Sequence, residues 1–133
     1  MNAPTGLTNV VYPAADLDAS VAVFTELLGV DPVFRTEDYA MFAIGIALSS
    51  KPWVHHPLPF WTVSDIAATH AALVAGGATA MGEIADGSLA EIGTAPVVNG
   101  DAVTGIVDMP GGRLAVLKAV DGNLIALNQP VGW

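Results

Sequence analysis

The chain has 133 residues, enough for one domain with a real core, and it is 53% hydrophobic but only 13% charged, which excludes disorder as a description of the whole. Thirteen carboxylates against four cations leave a formal net charge of −9, which excludes nucleic acid as an expected partner, because phosphate binding rests on clustered Lys and Arg. The absence of cysteine excludes disulfides, thiolate metal sites and cysteine nucleophiles together.

The opening MNAPTG carries neither a basic segment nor an apolar h-region, and the longest run of apolar or glycine residues, Ala40 to Leu48, is about half of what a bilayer-spanning helix needs. The expectation is a cytoplasmic protein with no membrane partner. Its acidity keeps an apolar chain soluble and would also raise the local concentration of a cationic small molecule.

In chain order, Thr8 to Ala14 alternates as a strand. Asp16 then reads as an N-cap, Leu17, Val21, Phe24 and Leu28 share one helical stripe, and Gly29 stops the helix. Strands follow at about 33–35, 39–43 and 45–49. The linker "KPWVHHP", Lys51 to Pro57, holds two prolines, Trp53 and the adjacent His55 and His56. The plan then recurs at an offset of 49 residues. Pro59 to Val63 reads as a strand, Asp65 as a cap, Ile66, Leu73 and Val74 as an apolar stripe, and Gly76-Gly77 as a stop.

Three more strands are expected at 79–82, 114–119 and 124–128, the last two joined by an Asp121-Gly122-Asn123 hairpin turn. The stretch 85–105 reads as a long irregular insertion, a lid or mobile segment, with Ser88 to Ile92 as a possible short helix. The fold class expected is α+β. Two tandem βαβββ modules, about 6–50 and 57–130, would form a single domain with a curved mixed sheet around a cleft and helices on the outer face.

The phrases "NVVYPAADLDASVAVFTELLGV", "PFWTVSDIAATHAALVAGGAT" and "PGGRLAVLKAVDGNLIALNQ", in that order, resemble the vicinal oxygen chelate superfamily of glyoxalases, extradiol dioxygenases and bleomycin-resistance proteins. In its metal-using members four inward positions supply His and Glu ligands. The resemblance puts those positions here at Asn9, Ala47, Leu58 and Ala126. Methyl and isobutyl groups donate no electron pair and a neutral amide is a weak ligand, so neither metal nor other cofactor is expected.

Strand alternation adds Val11, Phe60, Thr62, Leu124 and Asn128 to the same wall, which suits a bulky or flat organic ligand held by burial. The expected ligand-binding set is Asn9, Ala47, Trp53, His56, Leu58, Phe60, Thr62 and Ala126, with no catalytic residues. Adjacent His55 and His56 point to opposite sides. His56 reads either as a pocket or proton-transfer group or as a linker histidine at a junction. Trp53 and Trp133 would stack on a planar or cationic ligand or pack at an interface.

Trp61 is expected in the core, and His70 at its edge. Glu37 and Asp38 fall in a turn, and Arg113 is expected to pair with a surface carboxylate.

The resemblance implies a metal-free, bleomycin-resistance-type homodimer that sequesters a small aromatic or cationic molecule. One alternative is a metal-independent enzyme using His56 with Asn9. Another is a metalloenzyme with ligands from His55, His56 and the carboxylates of 85–105.

Overall fold

The computed structural model describes residues 3–131. They form β1 (Gly6–Pro13), α1 (Leu17–Leu28), β2 (Phe34–Arg35), β3 (Tyr39–Met41), β4 (Ile46–Ser49), β5 (Leu58–Thr62), α2 (Ile66–Ala75), β6 (Thr79–Glu83), β7 (Leu89–Glu91), β8 (Val107–Met109), β9 (Gly112–Lys118) and β10 (Leu124–Pro130). The class is α+β, as expected, with parallel and antiparallel strand pairs. Among the described residues no helix is long and apolar enough to cross a membrane. The chain divides into two compact units: Asn9–Pro59, and the residues up to Thr8 together with those from Phe60 onward.

In the first unit Asp16 accepts from the Ala19 N–H and so caps α1, as its sequence position implies. Strands run in the order β2-β3-β4-β1, with β1 and β4 parallel and the other pairs antiparallel. The core lies between α1 and one sheet face. Leu17 and Val21 meet Ala40, Phe42 and Leu48 there, with Tyr12, Phe24 and Ile46 packed around them. Phe42 and Leu48 are fully buried, worth roughly 1.5–3 kcal/mol each.

The second unit repeats the device. Asp65 caps α2 through the Ala68 N–H, and Gln129 on β10 adds its Oε1 as acceptor for the Ile66 N–H at 2.8 Å. Strand order is β5-β10-β9-β6-β7, with β8 paired to the first residues of β9 along the edge that β6 occupies further on. The core beneath α2 is Val63, Ile66, Ile106, Ala115, Leu117 and Leu127.

Two expectations fail here. Ser88 to Ile92 is not helical: Leu89–Glu91 is β7, paired antiparallel with β6. The Asp86-Gly87 turn decides it, with Gly87 at φ +83 and the Asp86 carboxylate accepting from both the amide and the hydroxyl of Ser88. The rest of the insertion is laced down rather than loose. Val98 N–H donates to the Glu83 carbonyl, the Asp101 carboxylate gathers the amides of Val103 and Thr104, and Gly105 lies so close to β6 that a Cβ there would fall 2.1 Å from the Met81 carbonyl oxygen. Trp61, for its part, is 40% exposed rather than in the core, because α2 packs over β9, β10 and β6 and leaves that part of β5 uncovered.

Candidate functional site

On the first unit, strand register places Val11, Ala47, Met41 and Phe34 in one row across the face turned away from α1, with Tyr39 beside Ser49 in the next. Asn9 is buried on β1, and its Nδ2 donates to the Tyr39 hydroxyl at 3.2 Å. Burial pushes the Tyr39 phenol above its ordinary value, and the Asn9 hydrogen bond pulls it part of the way back. The Tyr39 ring lies 6.3 Å from that of Phe34 in a tilted contact. The Ser49 hydroxyl is engaged by the Lys51 amide at 3.1 Å, and Lys51 itself pairs with Asp38. An open groove of about 370 Å3 lies at the ends of β1 and β4, lined by Ala14, Ser49, Lys51, Val54 and His55 among others.

The second unit has a corresponding face. Phe60, Ala126, Val116, Met81 and Glu91 form one row, and Thr62, Asn128 and Leu114 another. Here the polar groups close on each other: Asn128 Nδ2 donates to the Thr8 hydroxyl at 3.0 Å, and the Thr8 and Thr62 hydroxyls meet at 2.7 Å. Gly112 makes room for this network, since a Cβ there would fall 2.4 Å from Asn128 Oδ1. Lys118 pairs with Glu91 at 2.9 Å toward the far end of the face.

No family model matches the chain, and no curated protein matches it in sequence. Solved structures do match. Methylmalonyl-CoA epimerase from Mycobacterium tuberculosis superposes with a TM-score of 0.65 at 18% identity, over 99% of this chain and 94% of its own. The Mn(II)-bound glyoxalase from Novosphingobium aromaticivorans gives 0.63 at 17%, over 97% of this chain and 40% of that longer one. A glyoxalase/bleomycin resistance protein/dioxygenase superfamily member from Vibrio splendidus 12B01 gives 0.54 at 13%, over 92% and 97%. This is the vicinal oxygen chelate fold.

Within that fold, the four positions at which the resemblance puts metal ligands do not suit a cation. Asn9, Ala47 and Leu58 are buried in the first unit and Ala126 in the second, and of these only Asn9 carries a heteroatom on its side chain. Its Nδ2 donates to Tyr39, which leaves the neutral Oδ1 as the one electron-pair donor of the set. Among the described residues no group of three or more His, Cys, Asp or Glu side chains comes together, so the alternative set of His55, His56 and the 85–105 carboxylates does not assemble. Every cation of the chain is in an ion pair: Arg35 with Asp18, Lys51 with Asp38, Arg113 with Asp108 and Lys118 with Glu91. Arg113 thus meets the surface carboxylate expected for it.

Of the residues expected to bind ligand, Phe60 and Ala126 are neighbours across β5 and β10, while Thr62 belongs to the threonine–asparagine network. Ala47 and Asn9 share the first unit's face. Trp53 is half-buried in a turn closed by Val54 N–H and the Lys51 carbonyl. His56 is exposed, its Nδ1 3.3 Å from the Pro57 carbonyl, and His55 rather than His56 lines the groove. Trp133 lies outside the described residues.

Sequence reasoning missed Tyr39, Phe34 and Thr8. Tyr39 alternates with Met41 across the buried Ala40, which marks a two-faced strand, but only the pairing with β4 shows which face they share with Ala47.

Proposed function

We propose that this protein binds a small organic molecule by burial and hydrogen bonding, without a metal ion, and holds it chemically unchanged, as a bleomycin-resistance-type member of the superfamily would sequester a drug. It acts on this reading as a cytoplasmic homodimer. The observation that carries it is the donor set: Asn, Ala, Leu and Ala offer a single amide where a divalent cation needs several electron-pair donors. Buried apolar residues beside neutral polar groups on each unit's face, Ala47 on the first and Phe60 with Ala126 on the second, support affinity from desolvation, with a few hydrogen bonds for orientation.

A second reading, a metal-independent isomerase or lyase, is favoured by Tyr39, a partly buried phenol held protonated that could deliver a proton. The superfamily fold is also that of an epimerase and a glyoxalase.

Native mass spectrometry of freshly purified protein, with elemental analysis, tests the proposal. Expected are no stoichiometric transition metal and a retained organic compound that leaves with unchanged mass after incubation. A stoichiometric metal overturns the reading, and a compound altered with turnover moves it to the enzyme.

A further inference from the structure

The Tyr39 hydroxyl accepts from Asn9 on the first unit's face and keeps its own proton to donate. Asn9 Nδ2 donates to it, so Asn9 fills an acceptor position on the oxygen and leaves the hydroxyl hydrogen to point elsewhere. Like any phenol it is protonated at ordinary pH, so it can donate there, and burial shifts its ionisation further upward. Ser49, its neighbour across the β3–β4 pair, accepts from the Lys51 amide and is a second, aliphatic hydroxyl on this face, with no ring of its own to stack on a planar ligand. Beside the Tyr39 ring lies that of Phe34, 48% exposed, and the small Ala47 stands in the next row. Both cations of this unit, Arg35 and Lys51, are committed to carboxylates, and the chain carries a net charge of −9. An oxyanion therefore meets repulsion rather than a waiting partner.

We infer that this face takes an uncharged, planar aromatic carbonyl compound, its ring laid against Phe34 and its carbonyl oxygen accepting from the Tyr39 hydroxyl that Asn9 orients. The inference rests on the small-molecule reading above and names the ligand class and the residue that selects it. An aromatic ring matches the exposed Phe34 ring by stacking, and a carbonyl is the neutral acceptor that a phenolic O–H donor recognises. Phosphate esters and carboxylates are disfavoured by the same electrostatics.

The test compares 2-acetylnaphthalene with 2-ethylnaphthalene, which has the same ring system without the acceptor, by titration calorimetry on the full chain. Wild type is expected to prefer the ketone by about tenfold, one hydrogen bond to a buried donor. Tyr39→Phe keeps the ring and its contact with Phe34, so it should lower ketone affinity to that of the hydrocarbon and leave the hydrocarbon unchanged. Phe34→Ala should weaken both compounds together.

Equal binding of the two by wild type, or an undiminished preference in Tyr39→Phe, overturns the inference. Binding of neither, while native mass spectrometry still finds a retained compound of another class, overturns the ligand class and leaves metal-free binding standing. Binding of neither and no retained compound brings down both.

Discussion

The sheet faces turned away from the two helices meet the same problem, polar groups buried in an apolar surface, and solve it differently. In the second unit, Asn128, Thr8 and Thr62 are linked in a chain of hydrogen bonds, and Gly112 is shaped around them. In the first unit, Asn9 and Tyr39 form a pair in which the phenol keeps its own proton to donate. The longer network links three side chains, whereas the pair links two and keeps an aromatic hydroxyl on the face. The duplicated plan thus yields one face cross-linked by three polar side chains and one that carries a phenol beside an exposed aromatic ring.

The largest expected effect lies in the second unit, where the insertion is anchored. Gly105→Ala sets a Cβ against the Met81 carbonyl at a left-handed residue, and chemical denaturation should show a loss of about 3 kcal/mol or more. A loss below about 0.5 kcal/mol would mean that residues 101–106 are not clamped on β6.

Next comes the direct comparison of the two faces. Asn128→Leu strips the Thr8–Thr62 pair of its donor and should cost about 1–3 kcal/mol. Asn9→Leu should cost about 1 kcal/mol, because the Tyr39 hydroxyl can still turn. If denaturation midpoints rank these two the other way, the distinction between the three-membered network and the pair fails.

His70 supplies a pH test confined to the second unit. It is 5% exposed and hydrogen-bonds to the backbone of Thr104, while its Nε2 has no partner. Burial holds its pKa below 6.5, against smaller upward pulls from Thr104 and the Asp101 carboxylate. The unfolded chain therefore takes up this proton first as pH falls through 6.5. The stabilisation is complete above that value, is lost between 6.5 and the depressed folded value, and levels off below it. Denaturation midpoints in wild type should fall across this interval, and His70→Leu should flatten that part of the curve. An unchanged slope in the variant would falsify the assignment.

The smallest effect is spectroscopic. With only two tyrosines in the chain, a Tyr12→Phe background isolates Tyr39 in an ultraviolet titration. Its phenol should ionise above 10, and Asn9→Leu should raise it further by removing the bond that favours the phenolate. A fall in the variant would show that Asn9 does not donate to Tyr39.

The sequence by itself settled the elements that depend on neighbours in the chain. Asp16 and Asp65 as caps, Gly29 as a stop and the Asp121-Gly122-Asn123 turn are decided within a few residues, and the 49-residue repeat of those signals carried the fold class. The same local chemistry was present at Asp86-Gly87 and marked a hairpin, although the length of the insertion suggested a lid or a helix. What only the tertiary structure decided depends on register and cover. Tyr39 reaches Asn9 across thirty residues of sequence, Asn128 reaches Thr8 across one hundred and twenty, and Trp61 is left exposed because α2 packs over β9, β10 and β6. Alternation assigns a residue to one of two faces, but which side chains meet on that face is set by strand pairing, and pairing is a long-range choice that no short stretch of sequence encodes.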